Sequence, residues 1–527
     1  MKKQRQRVRK LSQFHGGLKL DGHKAMSMRE PIRQAPIPRL LTIPLQQHIG
    51  EPAQPVVKVG DRVLTGQVIA HAEGYVSAPV HASSSGTVVA IEKRAIAHPS
   101  NIHDDCIVIE TDGKDERITR ECLKNEYEQQ DPSHLRNCVR DAGIVGLGGA
   151  GFPSFIKLNP GKQQVDTLIL NGAECEPYIT CDAMLMQERP REIIEGLLIM
   201  RHALRAKQCL IGIEDNKPGA IRAMNDALSE QEKSFIEVVT VPTRYPAGGE
   251  KQLIKTLTGI EVPSNGLPIH VGIVCHNVGT AVAIARAIHH GEPLISRIVT
   301  VTGSAMKNPC NVEARIGTSM QDLLDIAGLD HDRLDRLLMG GPMMGFIVED
   351  TNVPIIKTTN CLLAMAPQDI AQSVHAMPCI RCGECTKVCP ANLLPQQLYW
   401  YARSKELDKI QDYHLFDCIE CGCCNLVCPS HIPLVQYYRF AKTEIWAKDR
   451  EKHKADHARE RHEYHLLRME RKKQEEEERR RKKKEMLEKT TKQDDDKQAA
   501  IRAAMERVTA KKAAQQDAAE NQKDETA

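Results

Sequence analysis

The sequence predicts a multidomain chain that joins an all-β part, an α/β part and a helical cysteine-rich part, and three observations predict it. Between Val56 and Glu92, short alternations such as Val57/Val59 and Val88/Ala90 are cut by Gly-Asp and Ser-Ser-Gly turns. That pattern belongs to small half-buried strands joined by tight turns. From about Asp131, strand-like runs alternate with helical ones, which argues for a mostly parallel sheet with helices on its faces. Near the C-terminus, Cys379, Cys382, Cys385 and Cys389, then Cys418, Cys421, Cys424 and Cys428, each spell C-x₂-C-x₂-C-x₃-C, closed by Pro390 and Pro429.

At 527 residues the chain has room for several cores. A net charge of +3 gives no overall drive towards nucleic acid. Eighteen cysteines, eight of them in the two motifs, leave ten scattered ones that do not resemble a disulfide framework, which points to a reducing cytoplasm. No run of about 18 apolar residues occurs, so no transmembrane helix is expected. The opening MKKQRQRVRK precedes no apolar run and is therefore not a secretory signal. Residues 1–30 are expected to be a basic N-terminal segment whose start is a solvated tail, with contact to anionic lipid as the alternative.

Residues 31–125 are expected to form the all-β domain. The stretch Val56–Glu92 resembles the barrel-sandwich hybrid fold of lipoyl and biotinyl carrier domains. Those carriers hold a lysine at the tip, whereas here the turn reads Gly74-Tyr75-Val76-Ser77-Ala78-Pro79. A structural or docking role follows.

Residues 126–292 are expected to form the Rossmann-like α/β domain. Its predicted strands are Thr167–Leu170, Cys209–Ile213, Ile236–Val241 and His270–Cys275, and its predicted helices are Arg191–Arg205, Ala220–Leu228 and Val278–His289. In such sheets ligands gather at the carboxyl ends of the strands. Four stretches lie there: GIVGLGGAGFPSFIK (Gly143–Lys157), NGAECEPYITCD (Asn171–Asp182), YPAGGEKQLIKTLTG (Tyr245–Gly259) and HNVGTAVAIARA (His276–Ala287). Glycines at 146, 148, 149 and 151 let backbone N–H groups approach a phosphate, although a Gly-rich turn alone is often only a tight loop.

Taken in order, the four stretches resemble the NADH- and FMN-binding flavoprotein subunit of respiratory complex I. The resemblance implies that Gly146, Gly148, Gly149, Gly151 and Lys157 belong to the FMN loop. It further implies that Asn171 and Glu174 reach polar atoms of the flavin or its ribityl chain, and that Gly248, Asn277 and Thr280 close the phosphate end. Phe152, Glu176 and Glu250 fall where that family contacts NADH. Leu147, Ala173 and Gly249 depart from it, replacing an arginine, an aspartate and a glutamate.

Residues 293–365 are expected to be a β-grasp domain, with Ser319 and Asp322 spaced as a helix cap and a strand at Phe346–Val348. Residues 366–445 hold the cysteine motifs. Their spacing is that of bacterial-type ferredoxins, in which the fourth cysteine of each motif ligates the other [4Fe–4S] cluster. One site is then Cys379, Cys382, Cys385 and Cys428, and the other Cys418, Cys421, Cys424 and Cys389. Two Cys₄ zinc sites are the alternative, but zinc knuckles rarely carry the third cysteine and the proline twice over. Leu394, Leu398 and Tyr401 repeat at helical spacing after Pro395, so the ferredoxin is expected to be α-helical. Cys423 falls outside the ligand register. Residues 446–527 are a charged low-complexity tail, with Glu475–Arg479, Glu476–Arg480, Glu477–Arg481 and Glu478–Lys482 at the favourable i,i+4 order. A solvated helix or a partly disordered tail is expected, in preference to a nucleic-acid arm.

This order of parts resembles the C subunits of the Rnf (Rsx) ion-translocating oxidoreductase complexes, over about Phe14 to Lys442. The resemblance implies a peripheral subunit on the cytoplasmic face of the bacterial inner membrane. Its partners would be integral subunits and a ferredoxin-like iron–sulfur subunit, with no nucleic acid. Electrons would pass between NADH and that partner through FMN and two [4Fe–4S] clusters, coupled to ion translocation. In the Rsx form, such complexes are associated with keeping a redox-sensing transcription factor reduced. The alternatives are an iron–sulfur relay or scaffold subunit without its own NADH oxidation, and a soluble NAD-linked hydrogenase or formate dehydrogenase subunit.

Overall fold

The computed structural model describes residues 9–119, 123, 126–370 and 375–521, with side chains to residue 515. The chain divides into two compact units, Met1–Lys442 and Thr443–Ala527.

At the middle of the first unit, four parallel strands lie in the order Ile236–Val241, Gln208–Glu214, Thr167–Gly172, Ile273–Asn277. Leu168, Ile169 and Leu170 are fully buried, as expected for a strand covered on both faces. Helix Pro190–Leu204 and helix Pro218–Asp226 each begin on a proline, which lacks the N–H that a first turn leaves unpaired anyway. Gly196 packs against the backbone of Ala281 so closely that any Cβ would overlap its carbonyl, so helices Pro190–Leu204 and Val278–His290 meet backbone to backbone. The last strand lies later than the sequence pattern predicts. Pro268–Val271 forms a 3₁₀ turn and Gly272 adopts φ +71°, so the extended run starts at Ile273 instead of His270.

The all-β part forms two sheets, one ordered Leu40–Pro44, His103–Thr111, Gly86–Ala95, Arg62–Val63, the other Gln54–Pro55, Val68–His71, Val80–His81. Leu41, Ile43, Val63, Ile69, Val88, Ile107 and Ile109 fill the core between them. The Val57/Val59 alternation is not a strand. Asp61 accepts the Lys58 N–H at 2.8 Å and turns the chain there. Between Val88 and Ala90 the register shifts at a bulge, which breaks the alternation read from the sequence.

A fourth, mixed sheet has the order Arg33–Gln34, Cys310–Arg315, Ser296–Thr302, Cys361–Met365, Arg336–Met339, Phe346–Val348. Helix Met320–Ile326 packs on it, with the Ser319 side chain capping the Asp322 N–H. Arg33–Gln34 lies inside the stretch assigned to the all-β domain, yet it adds a parallel edge strand here. Gln34 also donates to Glu313 at 2.8 Å.

The cysteine-rich part is helical: Glu384–Lys387, Pro395–Ser404, Leu407–Asp412, Cys423–Leu426 and the start of Leu434–Asn521. Tyr438 donates to Pro395 O at 2.6 Å, and Lys442 to Cys418 O at 2.7 Å.

Of the ten residues expected as a solvated tail, 1–8 lie outside the described residues, and Arg9 is bound to the fold. Arg9 pairs with Glu237 at 2.7 Å, and Ser12 N donates to Thr256 O. Gly17 N then reaches Val388 O, Leu18 bridges Tyr245, and the Lys24 ammonium donates to Glu174 O, Glu176 O and Ile179 O. The segment is a strap. Its composition reads as polar, but its hydrogen-bonding partners lie more than a hundred residues away, beyond the reach of local patterning.

The second unit is helical through Asn521. Of the four predicted ion pairs, Glu478–Lys482 forms at 2.9 Å.

Candidate functional site

The glycine loop is a pinched hairpin at the carboxyl end of the parallel sheet. Gly146 N donates to Phe152 O at 2.7 Å and Ser154 N to Ile144 O at 3.0 Å. At its tip Gly149 adopts φ +109°, and an added Cβ there would meet nothing within 4 Å. Gly148 lies against Asn277, and Gly151, at φ +63°, against Thr358 and His48. The Thr280 hydroxyl is buried and accepts the Leu147 N–H at 3.0 Å, which ties the loop to the first turn of helix Val278–His290. Asn277 caps that helix through Gly279 N at 2.8 Å and donates to Asp182 at 2.6 Å. Asn171 donates to Gly248 O at 2.8 Å, and Lys157 reaches both Glu250 at 2.6 Å and Cys275 O at 3.0 Å. The structure therefore gathers the glycines, Lys157, Asn171, Gly248, Asn277 and Thr280 through bonds among themselves and their neighbours. What remains open is backbone at the glycine tip.

The acidic loop is used differently from the sequence expectation. Glu174 sits at φ +48°, and its carboxylate accepts the Asp182 and Ala183 N–H groups at 2.7 and 3.2 Å, capping helix Cys181–Glu188. Burial pushes this carboxyl up to about 7 against the pull of Lys24. Asp182 is likewise raised by burial, opposed by Arg297. Glu176 accepts Met343 N and Met344 N at 2.8 and 3.0 Å, which directs it at the mixed sheet's Gly341–Met344 turn. Phe152 is partly buried at the base of the hairpin. Carboxylate and thiol atoms of Glu174, Cys181 and Asp182 lie within 4.8 Å of one another, but both Glu174 oxygens already accept backbone N–H groups. Burial drives the neighbouring His276 down to about 3, with Lys157 adding to the effect.

The cysteines line two cavities. Cys379, Cys382, Cys385 and Cys428 share one with Ile380, Gln396 and Tyr399. Cys389, Cys418, Cys421 and Cys424 share the other with Leu393, Leu398 and Tyr438. Each cavity offers the four thiols of its spacing-predicted set in an apolar wall, a donor set that fits a [4Fe–4S] cluster, and Cys423 adds a fifth thiol to the lining of the second. The open glycine tip beside two strand ends fits a phosphate-bearing flavin. Cys382 is exposed in the first cavity, whereas Cys421 and Cys424 are buried in the second. Cys423 is also buried and packs with Tyr245 and Cys421.

Three residues at these sites carry no sequence signal of their own. Lys24 braces the acidic loop from the strap. Lys357 is fully buried and donates to Pro79 O and Gly143 O at 2.9 and 2.7 Å, clamping the all-β part to the hairpin's start. Tyr245 donates its phenol to Cys421 O at 2.7 Å. Only the last falls within a stretch the sequence singles out, as the first residue of Tyr245–Gly259.

Comparison with known proteins matches residues 139–286 to the Nuo51 FMN-binding domain and 378–432 to a 4Fe-4S dicluster domain. Residues 12–114 match the RnfC barrel sandwich hybrid domain, and 298–347 an SLBB domain. The chain is 48% identical over 403 residues to the C subunit of the ion-translocating oxidoreductase complex of Vibrio cholerae serotype O1, covering 76% of this chain and 52% of that protein. It is 50% identical over 401 residues to the corresponding C subunit of Pseudomonas aeruginosa, covering 76% of this chain and 51% of that one. Over these matched residues the chain belongs to the family of ion-translocating oxidoreductase C subunits. The C subunit of Serratia proteamaculans is 48% identical over 459 residues, covering 87% of this chain and 65% of its own length. The chain thus spans about half to two-thirds of the length of these relatives. FMN and a pair of [4Fe–4S] clusters are the cofactors its matched domains carry. The H₂-reduced NAD⁺-reducing [NiFe]-hydrogenase aligns over 62% of this chain and 63% of its own, with 17% identity and a TM-score of 0.44, too low to bear on function.

Proposed function

We propose that this member of the C-subunit family passes electrons between NADH and a ferredoxin-like iron–sulfur partner, through FMN and two [4Fe–4S] clusters, as the peripheral part of an ion-translocating membrane complex. The observation that carries it is the presence in one compact unit of two cysteine-lined cavities and a glycine hairpin at the carboxyl end of a parallel sheet. When bound, FMN supplies the conversion between a hydride's electron pair and the single electrons that clusters accept. The chain's own residues supply the rest. Backbone N–H groups around Gly148, Gly149 and Gly151 would receive the phosphate, while Gly146 pins the hairpin through Phe152 O and Lys157, Thr280 and Asn277 fix the hairpin and helix start behind them. Asn171, Glu174 and Gly248 set the wall, and Phe152, Glu176 and Glu250 lie on the nucleotide side. The thiolates of Cys379, Cys382, Cys385 and Cys428 hold one cluster, and those of Cys389, Cys418, Cys421 and Cys424 the other.

Among the described residues no helix is long and apolar enough to cross a membrane. Attachment through integral subunits on the cytoplasmic face of the inner membrane belongs to the same proposal, as does the Rsx association with a redox-sensing transcription factor. So do the domain limits near residues 30, 125, 292, 365 and 445.

One observation favours the second reading, an electron relay without NADH oxidation. Glu176 commits one carboxylate oxygen to the Met343 and Met344 N–H groups and Glu250 commits one to Lys157, so both are partly engaged within the protein. Flavin extraction and NADH titration of the anaerobically reconstituted chain separate the readings. NADH oxidation by this subunit requires bound flavin and bleaching of cluster absorbance by NADH alone. A flavin-free preparation, or one bleached only by a reduced partner, leaves the relay.

A further inference from the structure

Tyr245 stands at a junction that neither the glycine hairpin nor the cysteine motifs explain. It is 2% exposed, and its backbone is locked on both sides by Leu18, at 2.8 Å through N–H and 2.7 Å through the carbonyl. Its phenol donates to the carbonyl of Cys421 at 2.7 Å, and the Glu176 carboxyl faces the same hydroxyl. Three residues later, Gly248 N lies 3.3 Å from Cys175 Sγ and Gly248 O accepts the Asn171 amide. One short stretch therefore grips the flavin-side loops by its backbone and the loop of the buried cluster cavity by its side chain. Tyr245 belongs to one apolar cluster with Cys421 and Cys423, against which Cys175, Met343, Val388 and Ile419 pack.

The other cavity differs. Ile380 in its wall is 68% exposed and Cys382 is exposed, so that cavity opens at the surface. Hydrogen bonds and burial around cluster sulfurs tune potential, and an O–H dipole with its positive end towards Cys421 favours the extra negative charge of a reduced cluster. A conjugated, fully packed ring between two redox sites also holds their separation fixed.

We propose that Tyr245 is a positioning residue that couples the flavin-side loops to the Cys389/Cys418/Cys421/Cys424 cluster alone, making that cluster the inner one and the Cys379/Cys382/Cys385/Cys428 cluster the outlet. This rests on the flavin reading above. The electron count is simple. NADH gives a hydride to the flavin and leaves as NAD⁺. The reduced flavin then loses one electron to the inner cluster, which goes from [4Fe–4S]²⁺ to [4Fe–4S]⁺. That electron passes to the outer cluster before the second follows.

The test uses the full chain, anaerobically reconstituted, with potentiometric EPR titration of both clusters and stopped-flow mixing with NADH. Cys382→Ser removes the outer cluster's signal and so assigns the two spectra. Tyr245→Phe keeps the ring and removes only the hydroxyl. The expected result is a downward shift in the inner cluster's midpoint potential, an unchanged outer cluster, and unchanged iron and flavin content. Tyr245→Leu removes the ring and is expected to slow reduction of the clusters by NADH several-fold at equal cofactor content. A Tyr245→Phe variant that shifts neither cluster, or both equally, overturns the proposal. So does reduction of the outer cluster at the wild-type rate when the inner one is absent. If the chain holds no flavin, the electron-transfer reading fails separately, because the potential titration runs on dithionite and mediators and still decides the role of the hydroxyl.

Discussion

Glu313 shows how much of this molecule is held by single charged side chains at domain seams. It sits on strand Cys310–Arg315 and pairs with Arg189 at 2.7 Å and Arg286 at 2.8 Å, both from the α/β part. Burial alone would raise its carboxyl, but Arg286 and Arg189 outweigh burial and hold it at about 2. The folded value lies below the unfolded one of about 4.5, so the unfolded chain binds the proton first. The contribution, roughly 3 kcal/mol, is therefore present above about pH 4.5 and lost as pH falls towards 2. Urea unfolding of wild type and Glu313→Gln should show its widest stability gap near neutral pH, narrowing through that window. A gap that stays constant with pH would mean the carboxylate's charge is not what holds the seam. Lys357 and Lys24 work at other seams by a different route, each satisfying carbonyls that would otherwise be buried without partners.

At the scale of elements, the strap from residue 9 to Ser27 is the piece that composition misrepresents. His15 lies 2.8 Å from Cys389 O, Phe14 stacks under the Arg244 guanidinium, and Ser27 meets Thr180 at 2.8 Å. At Gly16 the backbone is at φ +64°, and a Cβ would come within 2.5 Å of the Val388 backbone. Neither neighbour can yield, because both atoms are main chain. Gly16→Ala should cost about 1–3 kcal/mol of stability and lift the strap from the inner cluster's loop. The measurable consequence is faster loss of that cluster's EPR signal in air than of the outer cluster's. Equal rates for the two would show that the strap does not shield it. The glycine hairpin, by contrast, was readable in the sequence because its requirement is local: backbone without Cβ atoms at a sharp turn. The acidic loop was only half readable. Asn171 and Glu174 lie where the pattern of strand then loop puts them, but the partner of Glu176 is a turn more than a hundred residues away.

For the molecule as a whole, the four sheets and the cysteine-rich helices form one unit, and the charged helix forms another. The tail residues from 451 to 515 are almost all exposed, and their ion pairs are internal to the helix, as in Glu478–Lys482 and Arg481–Glu485. Such a helix gains little from burial and depends on propensity and i,i+4 pairs. Truncation after Asp449 should therefore leave iron content, flavin content and the unfolding midpoint of the remaining chain unchanged, while helical circular dichroism falls. A truncated chain that loses a cluster would make the tail part of the electron-transfer unit.

The sequence by itself determined the chemistry at its most local. Thiol spacing fixes what each cysteine loop can wrap, glycines fix where backbone can approach a phosphate, and proline and serine fix where helices start. These are contacts within a few residues, and a linear pattern can carry them. Packing decides, as local spacing cannot, that Arg33–Gln34 joins a distant sheet, that residues 9–27 form a strap, and that Tyr245 reaches from its own loop to Cys421. Each of those depends on a partner far along the chain, chosen by packing and by the need to pair buried polar groups.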